Sequence, residues 1–392
     1  MSEVFDVVIA GGAVHGSSLA YHLLRDSCFK GRVLVIEKDF TYAHAASTLS
    51  ASSIRQQFSS AINIKASLYG IDFLRRAKDI LAVDGEAPDV HVREGGYLYL
   101  ATQAGAPVLR ENNALQRELG ADTILLTPQE AQGRFPYLNI EDLSLASLGL
   151  SGEGWFDGYS LTQAFRKKAR SLGAVYREAK VVGVERDGSR IAAALLDDGA
   201  RVACGAFVNC GGASGARALA RACGFDVPVE ARKRTVFQVS CPTPIPDLPL
   251  TIDTSGVWIR PDGTGFITGG VPDPDVDAPG DFEPDWSQFE EQVWPALAHR
   301  IPAMEQLKAG RAWAGHYDMN LFDHNAVVGR MPGLDNGYLA AGFSGHGIQQ
   351  SPAVGRGLAE LIVHGGYRSL DLSDFAFERI AAGRPILEKN VI

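Results

Sequence analysis

Residues 4–16, VFDVVIAGGAVHG, decide the fold, because a short apolar run leads directly into a glycine-rich turn. Phe5–Ala10 is typical of a buried strand, and Ser17–Leu24 after the turn has apolar residues at helical spacing. A second apolar run, Arg32–Ile36, ends in Glu37. Strand, turn, helix and strand in this order predict two parallel strands joined by a right-handed crossover.

The turn has the pattern of a dinucleotide-binding loop. Its key positions are Gly11, Ala13 and Gly16, which make a tight turn, allow close approach to a pyrophosphate and let helix and strand pack closely. Ala13 departs from the glycine pattern by one methyl group. Glu37 follows at the end of the second strand, where an acidic residue accepts hydrogen bonds from ribose hydroxyls. We therefore predict a dinucleotide site, although this motif does not distinguish FAD from NAD.

Composition excludes several other classes of protein. The 392 residues carry a formal net charge of −9, which argues against binding to nucleic acid through its phosphates. The five cysteines lack CxxC spacing, so we predict no disulfide framework and no metal site. No apolar run approaches the ~20 residues of a membrane span. The N-terminus has no signal-peptide pattern, and we expect a cytoplasmic protein.

Farther along the chain, segments typical of antiparallel strands replace the buried strands of the N-terminal unit, and strands of the N-terminal type then recur. Thr235–Ser240, Gly256–Arg260 and Gly265–Gly270 look like antiparallel strands, whereas strands of the first kind recur near Val208 and Tyr338. We predict an α/β fold, α+β overall, in which a discontinuous nucleotide domain is interleaved with a mixed or antiparallel-sheet domain. The expected nucleotide domain comprises 1–90, 146–226 and 318–392, and the expected substrate domain comprises 91–145 and 227–317.

Five segments together resemble one family. GGAVHG (11–16), VIEKD (35–39), ASTLSASSIRQQF (46–58), VNCGG (208–212) and GFSGHG (342–347) are similar to motifs of the D-amino-acid-oxidase superfamily of FAD enzymes. This superfamily includes glycine oxidase, sarcosine oxidase and dimethylglycine dehydrogenase. WAGHYDMNLFDHNAVVG (313–329) is similar to the branch of the FAD-dependent oxidoreductase domain-containing proteins, which holds a mitochondrial complex I assembly flavoprotein.

The resemblance implies a Rossmann-like FAD-binding domain of the glutathione-reductase-2 type, with the flavin at its junction with the substrate domain. His316 matches the position at which some sarcosine oxidases carry a flavin-linking cysteine, so we expect non-covalent FAD. The residues expected to contact FAD are Gly11, Gly12, Ala13, Val14, His15, Gly16, Glu37, Lys38, Ser47, Ser53, Ile54, Arg55, Val181, Cys210, Gly211, Gly342, Gly345, His346, Gly347, Ile348 and Gln349. We interpret Cys210 as a small apolar residue rather than a nucleophile.

The resemblance also implies a substrate site. Arg55 is expected to bind a substrate carboxylate with its two-pronged guanidinium, and Arg260 is a second candidate for that role. His346 is expected to support the flavin by a hydrogen bond or a positive charge. His316 and Tyr317 are candidates for the substrate face.

A further departure from the family concerns oxygen. Ile267 is aligned with a lysine that promotes the reaction of flavin with oxygen in the related oxidases, so we expect slow reaction with oxygen. Lys233, on another strand, is an alternative source of that charge.

The expected activity is oxidation of a small amine, an amino or N-methylamino acid, with electrons passed to an acceptor that the sequence does not identify. A 2-hydroxy acid substrate, a partner subunit, and a flavin-containing assembly or interaction protein with little turnover remain alternatives. The flavin-loop motifs disfavour an NAD-dependent dehydrogenase.

Overall fold

A computed structural model describes residues 4–389 of the chain. The strands are β1 (Val4–Ala10), β2 (Val33–Glu37), β3 (Ser53–Ile54), β4 (Tyr97–Ala101), β5 (Thr123–Leu126), β6 (Leu145–Gly149), β7 (Gly154–Trp155), β8 (Val175–Glu178), β9 (Val181–Asp187), β10 (Arg190–Leu196), β11 (Arg201–Asn209), β12 (Val229–Ser240), β13 (Leu250–Ile252), β14 (Trp258–Asp262), β15 (Gly265–Gly269), β16 (Lys308–Asn320), β17 (Val327–Arg330) and β18 (Gly337–Ala341).

The α-helices are α1 (Val14–Arg25), α2 (Ala46–Leu49), α3 (Ala61–Arg75), α4 (Ala77–Ile80), α5 (Ala106–Glu118), α6 (Pro128–Arg134), α7 (Gly158–Ser171), α8 (Gly212–Ala222), α9 (Trp286–Gln288), α10 (Trp294–Arg300), α11 (Gly347–His364) and α12 (Glu378–Ala381). A π-helical segment, Phe289–Val293, joins α9 to α10, and 3-10 turns occupy Pro302–Gln306 and Ser373–Phe375. Among these described helices, none combines the length and apolar character needed to cross a bilayer.

The first sheet is the parallel sheet predicted from the N-terminal motif. Its strand order is β17-β18-β11-β1-β2-β8, and β9 and β10 extend it as an antiparallel pair next to β11. β1 runs parallel to β2 and to β11, and β11 runs parallel to β18. Both faces are buried, because alternate residues of β1 and β2 enter two separate apolar cores.

Two long helices cover one face of this sheet and lie against each other. Ser18 of α1 donates a hydrogen bond from its hydroxyl to the carbonyl of Ser351 in α11, at 2.8 Å. A Cβ added at Gly355 would meet the backbone of Ser18 at 2.8 Å, so the glycine allows this close packing. The N-termini of α1 and α11 therefore lie at the same edge of the sheet as the glycine turn.

The second sheet has the order β16-β12-β15-β14-β13-β4-β6-β5, with antiparallel pairing except between β13 and β4. One face packs against the helical segment 286–306 in an apolar core that includes Phe237, Phe266 and Phe289. The other face carries Tyr97 and Tyr99 on β4. We call this second surface the inner face, because it is the one that meets the site described below.

The two sheets are interleaved along the chain as predicted. The first sheet uses strands within 4–37, 175–209 and 327–341, and the second uses strands within 97–149 and 229–320. The expected boundaries at 145/146 and 317/318 fall inside β6 and β16, which pair along their whole lengths within the second sheet. These boundaries therefore move to the ends of the two strands, because a strand joins a sheet as one unit.

Candidate active site

The glycine turn between β1 and α1 has no room for side chains at its first and last glycines. Gly11 adopts φ +99°, and a Cβ there would overlap the carbonyl of Cys210. A Cβ at Gly16 would overlap the carbonyl of Gly11. The N–H of Gly11 donates to the carbonyl of Ile36 at 2.8 Å, which fixes the turn to β2. Ala13 precedes α1 in extended conformation, so its methyl group is accommodated.

Glu37 lies beside the turn, at the end of β2. Its carboxylate accepts hydrogen bonds from the N–H of Gly12 at 2.7 Å and of Asp39 at 3.1 Å. Burial raises the pKa of Glu37 above its ordinary value. The next residue, Lys38, donates from its ammonium group to the hydroxyl of Ser214 on α8, at 2.9 Å. The acid predicted from spacing thus lies within hydrogen-bond reach of the turn.

Four buried polar atoms, one in the turn and three in the segment 42–48, lack a hydrogen-bond partner among the described residues. They are the hydroxyls of Tyr42, Ser47 and Thr48 and the Nε2 of His15. The Tyr42 hydroxyl lies 3.4 Å from the position of a Cβ added at Gly12. Buried hydroxyls are normally hydrogen-bonded, so this set suits a ligand rich in hydroxyl and phosphate oxygens. The residues present therefore fit a dinucleotide.

The opposite side of the turn is lined by the ends of β9 and β11. Val181 begins β9 and shares an apolar core with Ala10 and Ile36. The N–H of Cys210 donates to the carbonyl of Ala10 at 2.8 Å. Burial raises the pKa of the Cys210 thiol to about 12, so the thiol is protonated at neutral pH. Gly211 follows and caps the N-terminus of α8.

The loop 342–346 leads from β18 into α11 and meets both the turn and the second sheet. The His15 ring stacks on Phe343 with centroids 3.9 Å apart and hydrogen-bonds the backbone of Gly347. Burial lowers the pKa of His15 to about 3, so this ring is neutral. Gly345 adopts φ +89°, and a Cβ there would overlap the Tyr317 ring.

Arg55 lies at the centre of the arrangement, directly after β3. Its guanidinium donates to the hydroxyl of Tyr99 and lies 3.2 Å from Nε2 of His346. Burial and the Arg55 charge hold the pKa of His346 well below its ordinary value, so its neutral Nε2 accepts from Arg55. The guanidinium carbon also lies 4.3 Å from the Phe58 ring centroid and 5.9 Å from that of Tyr97. Arg55 is only 3% exposed, and it is surrounded by aromatic rings.

The backbone of Arg55 is held by neighbouring elements. Its N–H donates to Oε1 of Gln349 at 2.9 Å, and its carbonyl accepts from the hydroxyl of Ser67. Ser53 and Ile54 precede it in β3, which pairs with β7. Gln349 lies in the first turn of α11, so the helix N-terminus and the arginine are tied directly together.

Glu153 is a fully buried carboxyl group behind Arg55. It accepts hydrogen bonds from the N–H of Gln56 at 2.5 Å, the N–H of Gln57 at 3.1 Å and the Gln57 side-chain amide at 2.7 Å. Burial raises the pKa of Glu153 to about 7, while these hydrogen bonds and the Arg55 charge act in the opposite direction. Glu153 therefore fixes the segment that carries Arg55.

Strand alternation separates two residues that the sequence placed together. Tyr317 lies on the inner face, where it packs against Gly345 and under the Arg234 guanidinium. His316 points to the opposite face, where its Nε2 lies 2.8 Å from the Ala278 carbonyl. The expectation that His316 faces the substrate is wrong, because successive side chains of a strand point to opposite faces.

The same alternation decides between the two residues considered for the oxygen reaction. Ile267 pairs across strands with Arg260 and Gln238, lies on the inner face and is buried. Lys233 lies on the opposite face and forms an ion pair with Asp281 at 2.6 Å. The alternative role for Lys233 is therefore wrong.

Arg234 is a cation on the inner face that the sequence analysis missed. It is held by the Asp275 carboxylate through hydrogen bonds of 2.8 and 2.9 Å. Its guanidinium carbon lies 5.0 Å from the Tyr317 ring centroid. A loop carboxylate thus pairs with the charge that lies beside Tyr317.

Arg260 also lies on the inner face, but its hydrogen bonds differ from those of Arg55. Its guanidinium donates to the carbonyl of Ala51 at 2.9 and 3.1 Å and to the Asp262 carboxylate at 3.2 Å. These contacts tie β14 to the loop before β3. The structure shows Arg260 as a link between the sheet and that loop.

Tyr97, Tyr99, Glu153 and Arg234 are the site residues that sequence reasoning did not select. The alternation in YLYLA (97–101) was a usable signal, since it places both tyrosines on one face. No motif or periodicity in the sequence around Glu153 or Arg234 indicated that these residues belong to the site. Their partners lie 96–97 and 41 residues away along the chain.

Comparison with known proteins agrees with this geometry. The family model described as DAO, FAD dependent oxidoreductase, matches residues 6–361. The chain is 41% identical to FAD-dependent oxidoreductase domain-containing protein 1 of Xenopus laevis, over all of this chain and 85% of that protein. This match confirms the branch expected from the C-terminal motifs.

Two solved structures share the whole architecture. L-proline dehydrogenase from P. horikoshii superimposes with a TM-score of 0.85 and 27% identity, covering 98% of this chain and 100% of the other. Glycine oxidase from Geobacillus kaustophilus superimposes with a TM-score of 0.82 and 25% identity, covering 96% of this chain and 98% of the other. The predicted fold class is confirmed.

FAD is therefore the cofactor, as the sequence motifs predicted. The turn 11–16 and Glu37 would hold its pyrophosphate and ribose. The segments 46–55 and 342–349 would hold its flavin end. The match over residues 6–361, the FAD-type turn and the two superimposed structures show that the chain belongs to the DAO family of FAD-dependent oxidoreductases.

Proposed function

We propose that this oxidoreductase oxidises a small amino or N-methylamino acid and binds the substrate carboxylate through Arg55. The observation that carries the proposal is the buried Arg55 guanidinium beside the N-terminus of α11. The names of the two superimposed enzymes, which refer to proline and glycine, support the same substrate class.

The surroundings of Arg55 suit a small anion. Phe58, Tyr97 and Tyr99 exclude water around the guanidinium, which strengthens its attraction to a carboxylate. A guanidinium can hold a carboxylate by two parallel hydrogen bonds and so fix its orientation. The neutral His346 ring lies on the same side, where its Nε2 accepts a hydrogen bond from Arg55 without adding a charge.

The chain's residues supply binding, orientation and a dry environment. FAD, when bound, supplies the electron-accepting chemistry. Arg55 would place the substrate's amine-bearing carbon, and Glu153 would keep the Arg55 segment in position. The aromatic rings would keep water away from the reacting carbon. No general base is required if the amine binds in its neutral form, because no proton then has to leave the nitrogen before oxidation.

We also propose non-covalent FAD and a dehydrogenase-like preference for an acceptor other than oxygen. Gly315 shares the inner face with Tyr317 and has no side chain to form a bond with flavin. Ile267 supplies no charge on that face, and the charge of Arg234 is paired with Asp275. A free cation is one means of stabilising developing superoxide, so slow oxygen reduction is the expected result.

Anaerobic reduction of the bound flavin tests the activity. The protein is mixed without oxygen with glycine, sarcosine, dimethylglycine, L-proline and lactate, and bleaching of the flavin absorbance is followed. We expect at least one amine to bleach the flavin and Arg55→Met to raise its half-saturating concentration at least about 100-fold, the cost of about 3 kcal/mol for lost charged hydrogen bonds.

The matched control is Arg311→Met, since Arg311 is exposed on β16. It should leave both flavin content and half-saturation unchanged. Bleaching by lactate alone would favour the 2-hydroxy acid alternative. The absence of bleaching by every compound in fully flavin-loaded protein would contradict the proposed activity and favour an interaction protein.

A further inference from the structure

Three side chains of different chemistry meet where α1 and α11 end. Asp26 is the C-cap of α1, Cys28 lies two residues later, and His364 is the last residue of α11. A carboxylate oxygen, the thiol sulfur and an imidazole nitrogen of these residues all lie within 4.8 Å of one another. Within residues 4–389 this is the one group of three such side chains with this spacing.

The arrangement is already partly organised by hydrogen bonds. Oδ2 of Asp26 lies 2.9 Å from Nε2 of His364, and Oδ1 accepts from the N–H of Cys28 at 2.9 Å. The carboxylate is thus oriented between the other two residues. The side chains of Asp26 and His364 are 11% and 10% exposed, whereas Cys28 is exposed. The pair is therefore sheltered, and the sulfur is reachable from solvent.

The donor set is that of a zinc site. Thiolate, imidazole and carboxylate bind Zn²⁺ at about 2.0–2.3 Å, which places tetrahedral ligand atoms roughly 3.3–3.7 Å apart. The three atoms lie within 4.8 Å of one another, and rotation of the exposed Cys28 side chain can shorten the distances to its sulfur toward that range. A water molecule would complete the fourth position.

The local field favours a cation. The carbonyl ends of two helices of 12 and 18 residues meet here, and helix C-termini carry partial negative charge. Arg356 is a nearby positive group, and its charge is balanced by an ion pair with Glu360 at 2.7 Å.

We propose that Asp26, Cys28 and His364 form a Zn²⁺ site that ties the C-terminus of α1 to that of α11. The spacing between the cysteines predicted no metal site. Here the third ligand lies 338 residues from the first. The same two helices begin at the glycine turn and at the loop 342–346, so the metal would join their far ends.

Cobalt(II) provides a spectroscopic probe for this site. The full-length FAD-loaded protein is freed of metal with a chelator, kept reduced with a non-thiol reductant and titrated with Co²⁺. We expect one equivalent to produce the long-wavelength bands of tetrahedral, thiolate-bound Co²⁺, beyond the flavin absorption. Added Zn²⁺ should remove these bands.

Two variants and one control make the test specific. Cys28→Ser should abolish the cobalt bands, and His364→Gln should raise the Kd for Zn²⁺ at least about tenfold, the lower end of the cost of losing even an outer-sphere partner. Cys241→Ser alters another unpaired cysteine, outside this cluster, and should leave both readouts unchanged.

Flavin content and circular dichroism establish that each variant is folded. The proposal is overturned if folded wild-type protein gives no cobalt bands, which would leave a simple Asp26–His364 ion pair. It is equally overturned if the bands persist in folded Cys28→Ser.

Discussion

Glu153→Gln removes a buried ionisable group while it keeps the size of the side chain and one acceptor oxygen. The carboxyl group is fully buried and accepts three hydrogen bonds from Gln56 and Gln57. Its pKa of about 7, against an ordinary 4.5, means that its ionised form is disfavoured in the folded chain. Substitution should therefore change how stability depends on pH.

The sign and size of the effect follow from linkage. Between pH 4.5 and 7 the folded chain keeps a proton on Glu153 that the unfolded chain has released, so raising the pH favours unfolding. Between pH 5 and 8 this amounts to about 2–3 kcal/mol of lost stability. At about 2.1 cal/mol/K per residue, the unfolding entropy of a chain of this size converts that loss into a fall in Tm of about 3 °C.

Thermal unfolding at pH 5, 6, 7 and 8, with FAD in excess and a fixed scan rate, measures the difference. Other groups, including Asp318, whose pKa burial raises to about 6, contribute alike to both proteins. The wild-type Tm should fall about 3 °C more than that of Glu153→Gln across this range. Glu118→Gln, an exposed helix residue, should behave as wild type. If Glu153→Gln and wild type lose Tm in parallel, the account of this carboxyl group is refuted.

Three further predictions concern the cofactor site. Gly345→Ala should weaken FAD binding measured by equilibrium dialysis, because the added Cβ would overlap the Tyr317 ring. Gly199→Ala is the control, since Gly199 has a similarly positive φ but open space around it, and this variant should bind FAD as wild type does. Acid precipitation should release all the flavin into the supernatant, and yellow colour in a washed pellet would contradict non-covalent attachment. Cys210→Ala should keep its flavin and its rate of substrate-driven bleaching, since the buried thiol stays protonated; loss of bleaching with flavin retained would make Cys210 a functional group.

The features that sequence predicted best are those carried by backbone geometry over short distances. The turn at Gly11 and Gly16 and the position of Glu37 follow from spacing within one strand–helix–strand unit. The resemblance in motifs added the cofactor and the segment around Arg55. Such local patterns can be read without knowing which distant segments meet.

What could not be predicted depends on register between distant strands. The opposite orientations of Tyr317 and His316 require the exact pairing of β12 with β16, and a shift of one residue would exchange them. Glu153 acts on Gln56 and Gln57 only because β3 pairs with β7. Neither relation leaves a periodic signal in the sequence.

The pairing order of the first sheet also sets a constraint on synthesis. Val8 pairs with Phe207, and Phe207 in turn pairs with Gly337, so these three strands can be joined only after the residues up to 341 have been made. Contacts of such long sequence separation form slowly. The glycine turn at 11–16 is made long before its partner loop at 342–346. The two segments that would hold FAD from either side can therefore come together only after the residues up to 349 have been made.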